Sequence, residues 1–379
     1  MADTTTKPCA FEARVWVDDQ LLAVSSAALQ SEGALYFPEG DLRGPLPETA
    51  LLLTAAPTGY VAFDHTNPRV RVRLVDDLRL PDATERDRTL KRFPPWGEAS
   101  ELIAMLDVQP SAASGEYLSA PRGVNQRGVV EASQMLAQAI VAAGRHAPGR
   151  RAVHASMIFM RAASVSEPLR FQLKELSGGK SFTSLQVNVL QGEKLCASGT
   201  LLLDVMAPDL MRHASPPPEV PGPYASEPYD MSVTGRDLRF VDSAYNNDPD
   251  APVGPPHIDA WMRYRKLTDD PYLNAALLVQ FTGHVSIAAA MRPHAGIGQS
   301  QAHRTLSTAI NAIYVSLHAN VRADEWMLYR HLSTFAGDGI THSECRVHNQ
   351  QGALLASFCV DAMVRRMAAE RSVNDRTSL

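Results

Sequence analysis

The sequence predicts an α+β chain: a small β-rich region over residues 1–90, then two tandem units, 97–210 and 228–370, each with antiparallel strands wrapped around one long apolar helix. Three observations predict it. Residues 12–80 alternate with period two between short turns, as in EARVWVDD and RVRVRLV. The two later stretches repeat one order of helix and strands. In the second stretch the helix is apolar around its whole circumference, as a helix sheathed on every side must be.

In chain order, ALYFP follows a glycine turn and GYVAF a second turn, which gives the first region short strands. PDATERDRTLKRFPPWGE, 81–98, is charged and proline-bearing and reads as a linker. The first unit begins with the helix VVEASQMLAQAIVAAG, 129–144, followed by the strands VHASMIFMR, PLRFQLKEL, SFTSLQVNVL and KLCASGTLLLDV. PPPEVPGP (216–223) and PDAPVGPP (249–256) punctuate the junction. The second unit has its helix at 272–291 and strands in TLSTAINAIYVSL, EWMLYRHLSTF, ITHSECRVHN and LLASFCVDAMV. Hairpins at Gln191-Gly192 and Gln351-Gly352 each lead into an Ala-Ser pair, Ala197-Ser198 and Ala356-Ser357. An internal duplication accounts for this order. Two such units hide open strand edges by pairing their sheets edge to edge.

Composition narrows the partners. With 379 residues, 45% hydrophobic and 20% charged, the chain has the content of an ordinary globular protein. A net charge of -5 gives no excess of Lys and Arg for nucleic acid or an anionic membrane surface, so neither is expected as a partner. The N-terminus has no apolar signal region, and a cytoplasmic location is expected. Cys9, Cys196, Cys345 and Cys359 lie far apart without a CxxC pair, which argues against a zinc site and a disulfide framework; no metal or cofactor is expected.

The sharpest local feature is LLVQFTGHVSIAAAM, 277–291, with Gly283 and His284 in the middle of an apolar run. A mid-helix glycine costs about 1 kcal/mol relative to alanine, and a buried imidazole needs a hydrogen-bond partner. His284 is therefore the first candidate for acid–base chemistry, since imidazole titrates near neutrality. Gly283 permits close approach of a ligand or of a packing neighbour, and Thr282 stands beside it as a substrate contact. On a neighbouring strand, Thr308 and Asn311 carry groups able to polarise a carbonyl. The run GRHAPGRR, 144–151, reads as the cap of a helix C-terminus or, alternatively, as a phosphate contact.

From about 99 to 370 the chain resembles the acyl-CoA thioesterase II family, whose fold is a double hotdog. The segments carrying the likeness are ELIAMLDVQP, ASQMLAQAIVAAGRHAPGRRAVHASMIFMR, SGGKSFTSLQVNVLQGEKLCASGTL and HANVRADEWMLYRHLSTFAGDGITHSECRVHNQQGALLAS. Residues 10–80 are similar to a small β-rich domain family with no assigned chemistry. The resemblance implies a site where the two hotdogs meet, with hydrolysis of fatty acyl thioesters by an Asp, a Thr and a Gln. At those positions this sequence has Gly283, Ile310 or Ala309, and Val360, the last followed by Asp361. Because side chains alternate along a strand, Asp361 faces the cleft only if the register slips. The resemblance also places Glu131 and Gln134 at a helix start where hotdog enzymes often carry a carboxylate, with Ala132-Ser133 in place of two family glycines. It matches His154, His318 and Asp324-Glu325-Trp326 to family positions read as structural.

The expected function is an acyl-thioester-processing enzyme with altered hydrolytic residues. Its expected catalytic residues are His284, Glu131, Asn311, Thr308 and Asp361, and its substrate contacts Gly283, Gln134, Thr282 and Val360. The expected partner is an acyl group on coenzyme A or on an acyl carrier protein, and the resemblance suggests a homo-oligomer. Two alternatives stay open: a dehydratase, isomerase or cyclase of secondary metabolism using His284, and a non-catalytic acyl-binding scaffold.

Overall fold

A computed structural model describes residues 99–366, apart from 122–127, 230–234, 246–247 and 267. In the N-terminal region it describes 7–8 and 12–75, outside 19, 26, 32–33, 46–51, 54–55, 65–66 and 68. The expected linker, 81–98, and Cys9 lie outside the described residues. The chain divides into two compact units, Met1–Arg92 and Phe93–Leu379.

The first unit is β-structured, as its period-two runs require. Strands β1 (Lys7–Pro8), β4 (Leu29–Ser31), β5 (Ala34–Pro38) and β6 (Tyr60–Ala62) form one sheet. Strands β2 (Glu12–Val17), β3 (Gln20–Ser25) and β7 (Val70–Val75) form another. Val15, Phe37 and Phe63 meet in its core, the two phenylalanine rings edge to face at 5.7 Å.

The second unit is built on one antiparallel sheet. Its first half supplies β8 (Gln109–Pro110), β9 (Glu116–Leu118), β10 (Arg151–Phe159), β11 (Arg170–Gly178), β12 (Phe182–Gln191) and β13 (Lys194–Asp204). Its second half supplies β14 (Glu227–Pro228), β15 (Arg236–Phe240), β16 (His257–Tyr264), β17 (Leu306–Leu317), β18 (Met327–Gly337), β19 (Ile340–Asn349) and β20 (Leu354–Arg366). The spatial order is β14-β15-β16-β18-β19-β20-β17-β10-β13-β12-β11-β9-β8. Read outward from β17 and from β10, the two halves repeat one another, so the duplication read in the sequence is a duplication of topology. They join where β10 pairs antiparallel with β17, from His154 opposite Ser316 to Ile158 opposite Ala312. This edge-to-edge union closes two open strand edges.

Strands β14 to β16 were not legible as strands. In β16 five consecutive residues, Ile258 to Met262, are buried, so the half-buried alternation that marks a strand is absent.

Helices α1 (Ala99–Leu106) and α2 (Ala132–His146) belong to the first half, and α3 (Pro271–Gln280) and α4 (Ser286–Met291) to the second. Twelve consecutive residues of α2, Ser133 to Gly144, are buried, as a sheathed helix requires. Pro271–Met291 has the length and composition of a membrane span, yet 78% of its apolar window is buried inside the fold.

The expected helix over 272–291 is not continuous. After Gln280 it tightens into a 3-10 turn at Phe281–Gly283, and α4 resumes only at Ser286. Between them Val285 has φ 70° and ψ -34°, and Ser286 N–H donates to His284 O at 2.8 Å. That is a γ-turn with positive central φ, a strained arrangement for a β-branched residue. The break turns His284 out of the helical track.

Candidate active site

The site lies where the start of α2 meets the break after α3. Glu131 is the N-cap residue of α2, but its carboxylate makes no capping bond to the helix. It reaches across to the second half, where Gln280 Nε2 donates to Glu131 Oε2 at 3.1 Å and His284 Nε2 lies 3.6 Å from the same oxygen. Gln280 Nε2 is also 3.4 Å from His284 Nε2. The other end of the Gln280 amide, Oε1, accepts from Arg236 Nη1 at 3.4 Å and from the Tyr264 hydroxyl at 3.3 Å. That hydroxyl shares its proton with Leu277 O at 2.8 Å.

These side chains come from both halves: Glu131 from α2, Gln280 from the end of α3, Arg236 from β15 and Tyr264 from β16. Gln280 is fully buried and Arg236 is buried, whereas the Glu131 and His284 side chains stay 16% and 13% exposed. The pair therefore keeps a solvent-facing edge over a buried polar base. Phe281 packs between them and the core, its ring 5.2 Å from the imidazole and 5.0 Å from the Arg236 guanidinium carbon.

Burial holds His284 well below its usual range, and the positive charge of Arg236, then the neighbouring His331 ring, push the same way. It is a neutral imidazole at physiological pH, with a ring nitrogen lone pair that burial makes a weak base. Burial also pushes Tyr264 up to about 12, so its phenol keeps its proton. A second buried cluster adjoins. Ser286 Oγ is 2.9 Å from His331 Nδ1, and Cys345 Sγ is 3.6 Å from the same nitrogen. Burial lowers His331 to about 3 and raises the Cys345 thiol, so both are neutral.

Of the residues expected from sequence, the structure brings together Glu131, His284 and Gly283. Gly283 packs on Ser133 and on Ile310, whose Cδ1 lies 3.4 Å from the point where a Gly283 Cβ would be. The Ser133 hydroxyl beside it is buried without a hydrogen-bond partner. Val360 is buried on the inward face of β20, and Gln134 is buried within α2.

The structure places the other expected residues apart from this group. Asn311 is exposed, at the register shift between Ile310 and Ala312 that turns it away from the core. Asp361 stands on the outward face of β20, paired with His342 Nδ1 at 2.6 Å, because β20 alternates without a break there, with Val360 and Ala362 buried on either side. Thr308 is engaged by His303 Nε2 at 3.2 Å. The Thr282 hydroxyl is fully buried and gives its proton to Val279 O at 2.7 Å, which sets it away from a solvent-facing substrate. In the basic run, Arg145 holds Asp107 and Val108 O, Arg150 holds Gly179 O, and Arg151 holds Asp204. Those contacts support the structural reading of the run over a phosphate contact. His154 meets Ser316, His318 meets Ser357, and Trp326 is buried beside Tyr224. Among the described residues no group of three His, Cys, Asp or Glu side chains is placed to hold a metal.

Sequence reasoning missed Gln280, Arg236 and Tyr264. Gln280 was findable, a polar residue four before His284 in an otherwise apolar run. The other two sit in the strands that were not legible.

Family models match both halves: the acyl-CoA thioesterase N-terminal domain over residues 120–203 and the acyl-CoA thioesterase C-terminal domain over 208–359, together more than half of the chain. The chain belongs to the acyl-CoA thioesterase family. Solved structures similar to it include acyl-CoA thioesterase II TesB2 from Mycobacterium marinum, at 22% identity and TM-score 0.60, covering 70% of this chain and 98% of that one. The tesB protein of Mycobacterium avium subsp. paratuberculosis matches at 19% identity and TM-score 0.60, covering 70% and 99%. A hot dog fold protein of unknown function from Alicyclobacillus acidocaldarius matches at 15% identity and TM-score 0.57, covering 71% and 99%. The fold is the double hotdog. The positions that the resemblance implies for hydrolysis, Gly283, Ile310 or Ala309, and Val360, have no acid, hydroxyl or amide in the side chain.

Proposed function

We propose that this thioesterase-family protein is an acyl-thioester-processing enzyme whose proton-transfer pair is Glu131 and His284. One observation carries the reading: a carboxylate from one half and a neutral imidazole from the other face each other at 3.6 Å, both partly open to solvent. The substrate class is an acyl group on coenzyme A or on a carrier protein, and 97–210 and 228–370 are the two proposed hotdog domains.

Two features support a thioester carbonyl at this place. The first turn of α2 has backbone N–H groups that the Glu131 side chain does not cap, and the helix dipole there favours negative charge. In hydrolysis, water oxygen attacks the carbonyl carbon, and its proton passes to Glu131 Oε2 or His284 Nε2. The negative charge on the carbonyl oxygen is met by the helix N-terminus. Collapse breaks the C–S bond, and the stored proton leaves on the thiolate sulfur. Neutral His284 offers a lone pair for that proton, and Glu131 at 3.6 Å offsets part of the cost that burial and Arg236 place on the imidazolium.

A second reading, elimination or isomerisation on the acyl chain, is supported by the apolar residues at the positions the resemblance implies for hydrolysis, 283, 309 or 310, and 360. There the same pair takes a proton from carbon and returns one to oxygen or carbon. Incubation with a panel of acyl-CoA esters separates the two: thiol release marks hydrolysis, and an unsaturated or rearranged thioester of intact mass balance marks the second reading. Absence of any product across the panel, with tight acyl-CoA binding retained, contradicts both and supports a binding protein.

A further inference from the structure

Gln280 is the most constrained polar residue at the site. It is fully buried, and each end of its amide has partners of fixed sign. Arg236 carries only donors, so the atom facing its Nη1 at 3.4 Å must be the amide oxygen. The amide nitrogen is then turned toward the pair, with one hydrogen for Glu131 Oε2 at 3.1 Å and one for His284 Nε2 at 3.4 Å.

We propose that Gln280 is the positioning residue of the Glu131–His284 pair: locked by Arg236, its amide makes Nε2 of the resting His284 an acceptor and leaves the ring proton on Nδ1. This deepens the proposed function and rests on it for its catalytic meaning. The resting tautomer leaves the nitrogen nearest Glu131 unprotonated, and therefore able to receive the proton that the reaction releases. A mispositioned amide oxygen would instead draw a proton onto Nε2 in advance and fill the acceptor site. The charged and titratable groups around the imidazole are Glu131 at the start of α2, Arg236 of β15 and His331 of β18. Of these Glu131 alone is an anion, so it is the group that competes with Gln280 for the state of Nε2.

The test is nitrogen NMR of the full chain labelled at histidine, with the His284 signals identified by their loss in His284→Gln. The wild-type protein is expected to show a protonated Nδ1 and a bare Nε2. Gln280→Met, similar in volume but without donors, is expected to move the proton to Nε2, where Glu131 accepts it. Arg236→Lys keeps a donor for the amide oxygen and is expected to retain the wild-type tautomer. A wild-type protein with its proton on Nε2 overturns the inference without recourse to any variant, and so does a folded Gln280→Met with the wild-type tautomer. If acyl-CoA turnover is found, Gln280→Met is expected to lower kcat on the order of 10²-fold with little change in KM, and to move the acid limb of the pH profile upward. The stated tautomer without turnover of any acyl thioester removes the proposed function and leaves the positioning of His284 intact; full turnover in Gln280→Met removes the positioning role and leaves the proposed function intact.

Discussion

Gly283 and Ser133 compete for one space: a Cβ added to Gly283 would lie 2.8 Å from Ser133 Cβ, with Ile310 closing the other side. The same approach recurs at the far end of the two helices, where a Cβ on Gly144 would lie 2.5 Å from Tyr272 Cε1. α2 and α3 thus run antiparallel in contact, with a glycine at each end admitting the partner helix. Gly283 is first a packing glycine, and its smallness is what lets the start of α2 bring Glu131 to His284.

Gly283→Ala should therefore destabilise the protein by about 1–3 kcal/mol through overpacking. Adding Ser133→Gly should recover much of the loss, because it removes the atoms in the way. Urea unfolding of the two single variants and the double variant measures the coupling; additive losses would show that the two side chains do not share the space.

Acid should weaken the fold in a definite window. His284 and His331 both have folded-state values depressed by burial, His331 to about 3. Below the ordinary histidine value of about 6.5 the unfolded chain binds protons that the fold refuses, so stability is complete above that pH and falls beneath it by about 1.4 kcal/mol per pH unit per histidine. Denaturant midpoints between pH 7 and pH 5 read this slope, and His331→Asn should make it shallower even where its own stability is lower.

The joint between the halves should be sensitive at Gly199. A Cβ there would lie 3.0 Å from Met157 Cα and 3.1 Å from the Ser156 carbonyl carbon, main-chain atoms of β10 that cannot step aside. Gly199→Val is expected to lower the melting temperature by at least several degrees, corresponding to a loss of about 1–3 kcal/mol, and to loosen β10 where it pairs with β17. Hydrogen exchange at Ala155 to Ile158 checks the location.

Thiol chemistry should follow burial. Cys345 is buried beside His331 with its thiol held neutral, whereas Cys359 is partly exposed on β20. A thiol reagent applied to the native protein and read by peptide mass spectrometry should label Cys359 long before Cys345. Equal rates would contradict the packing of the Ser286–His331–Cys345 cluster.

Much of the fold was legible because the duplication repeats turn chemistry that sequence displays. Gly192 and Gly352, the glycines of the two Gln-Gly hairpins, both take positive φ, at 58° and 88°. The unbroken helix over 272–291 was the main misreading. Apolar periodicity reports burial and not continuity, and the γ-turn at Val285 is a tertiary outcome, stabilised by what surrounds it. His284 and Glu131 were legible as candidates, since an imidazole in an apolar run and a carboxylate at a helix start are visible one residue at a time. Their meeting was not, because it depends on two helices 149 residues apart in numbering between Glu131 and Gln280. Thr308, Asn311 and Asp361 were plausible by residue type, but their side-chain directions were decided by a bulge and by strand register.

Glu131 and His284 are proposed to act together on an acyl thioester. The measurement that tests it most directly is steady-state turnover of the best acyl-CoA substrate by wild-type protein, Glu131→Gln, His284→Gln and the double variant, each confirmed as folded. Each single change is expected to lower kcat by about 10²–10⁴-fold with acyl-CoA binding retained, and the double variant to be hardly worse than either single one. Turnover undiminished in either folded variant would contradict the proposed pairing.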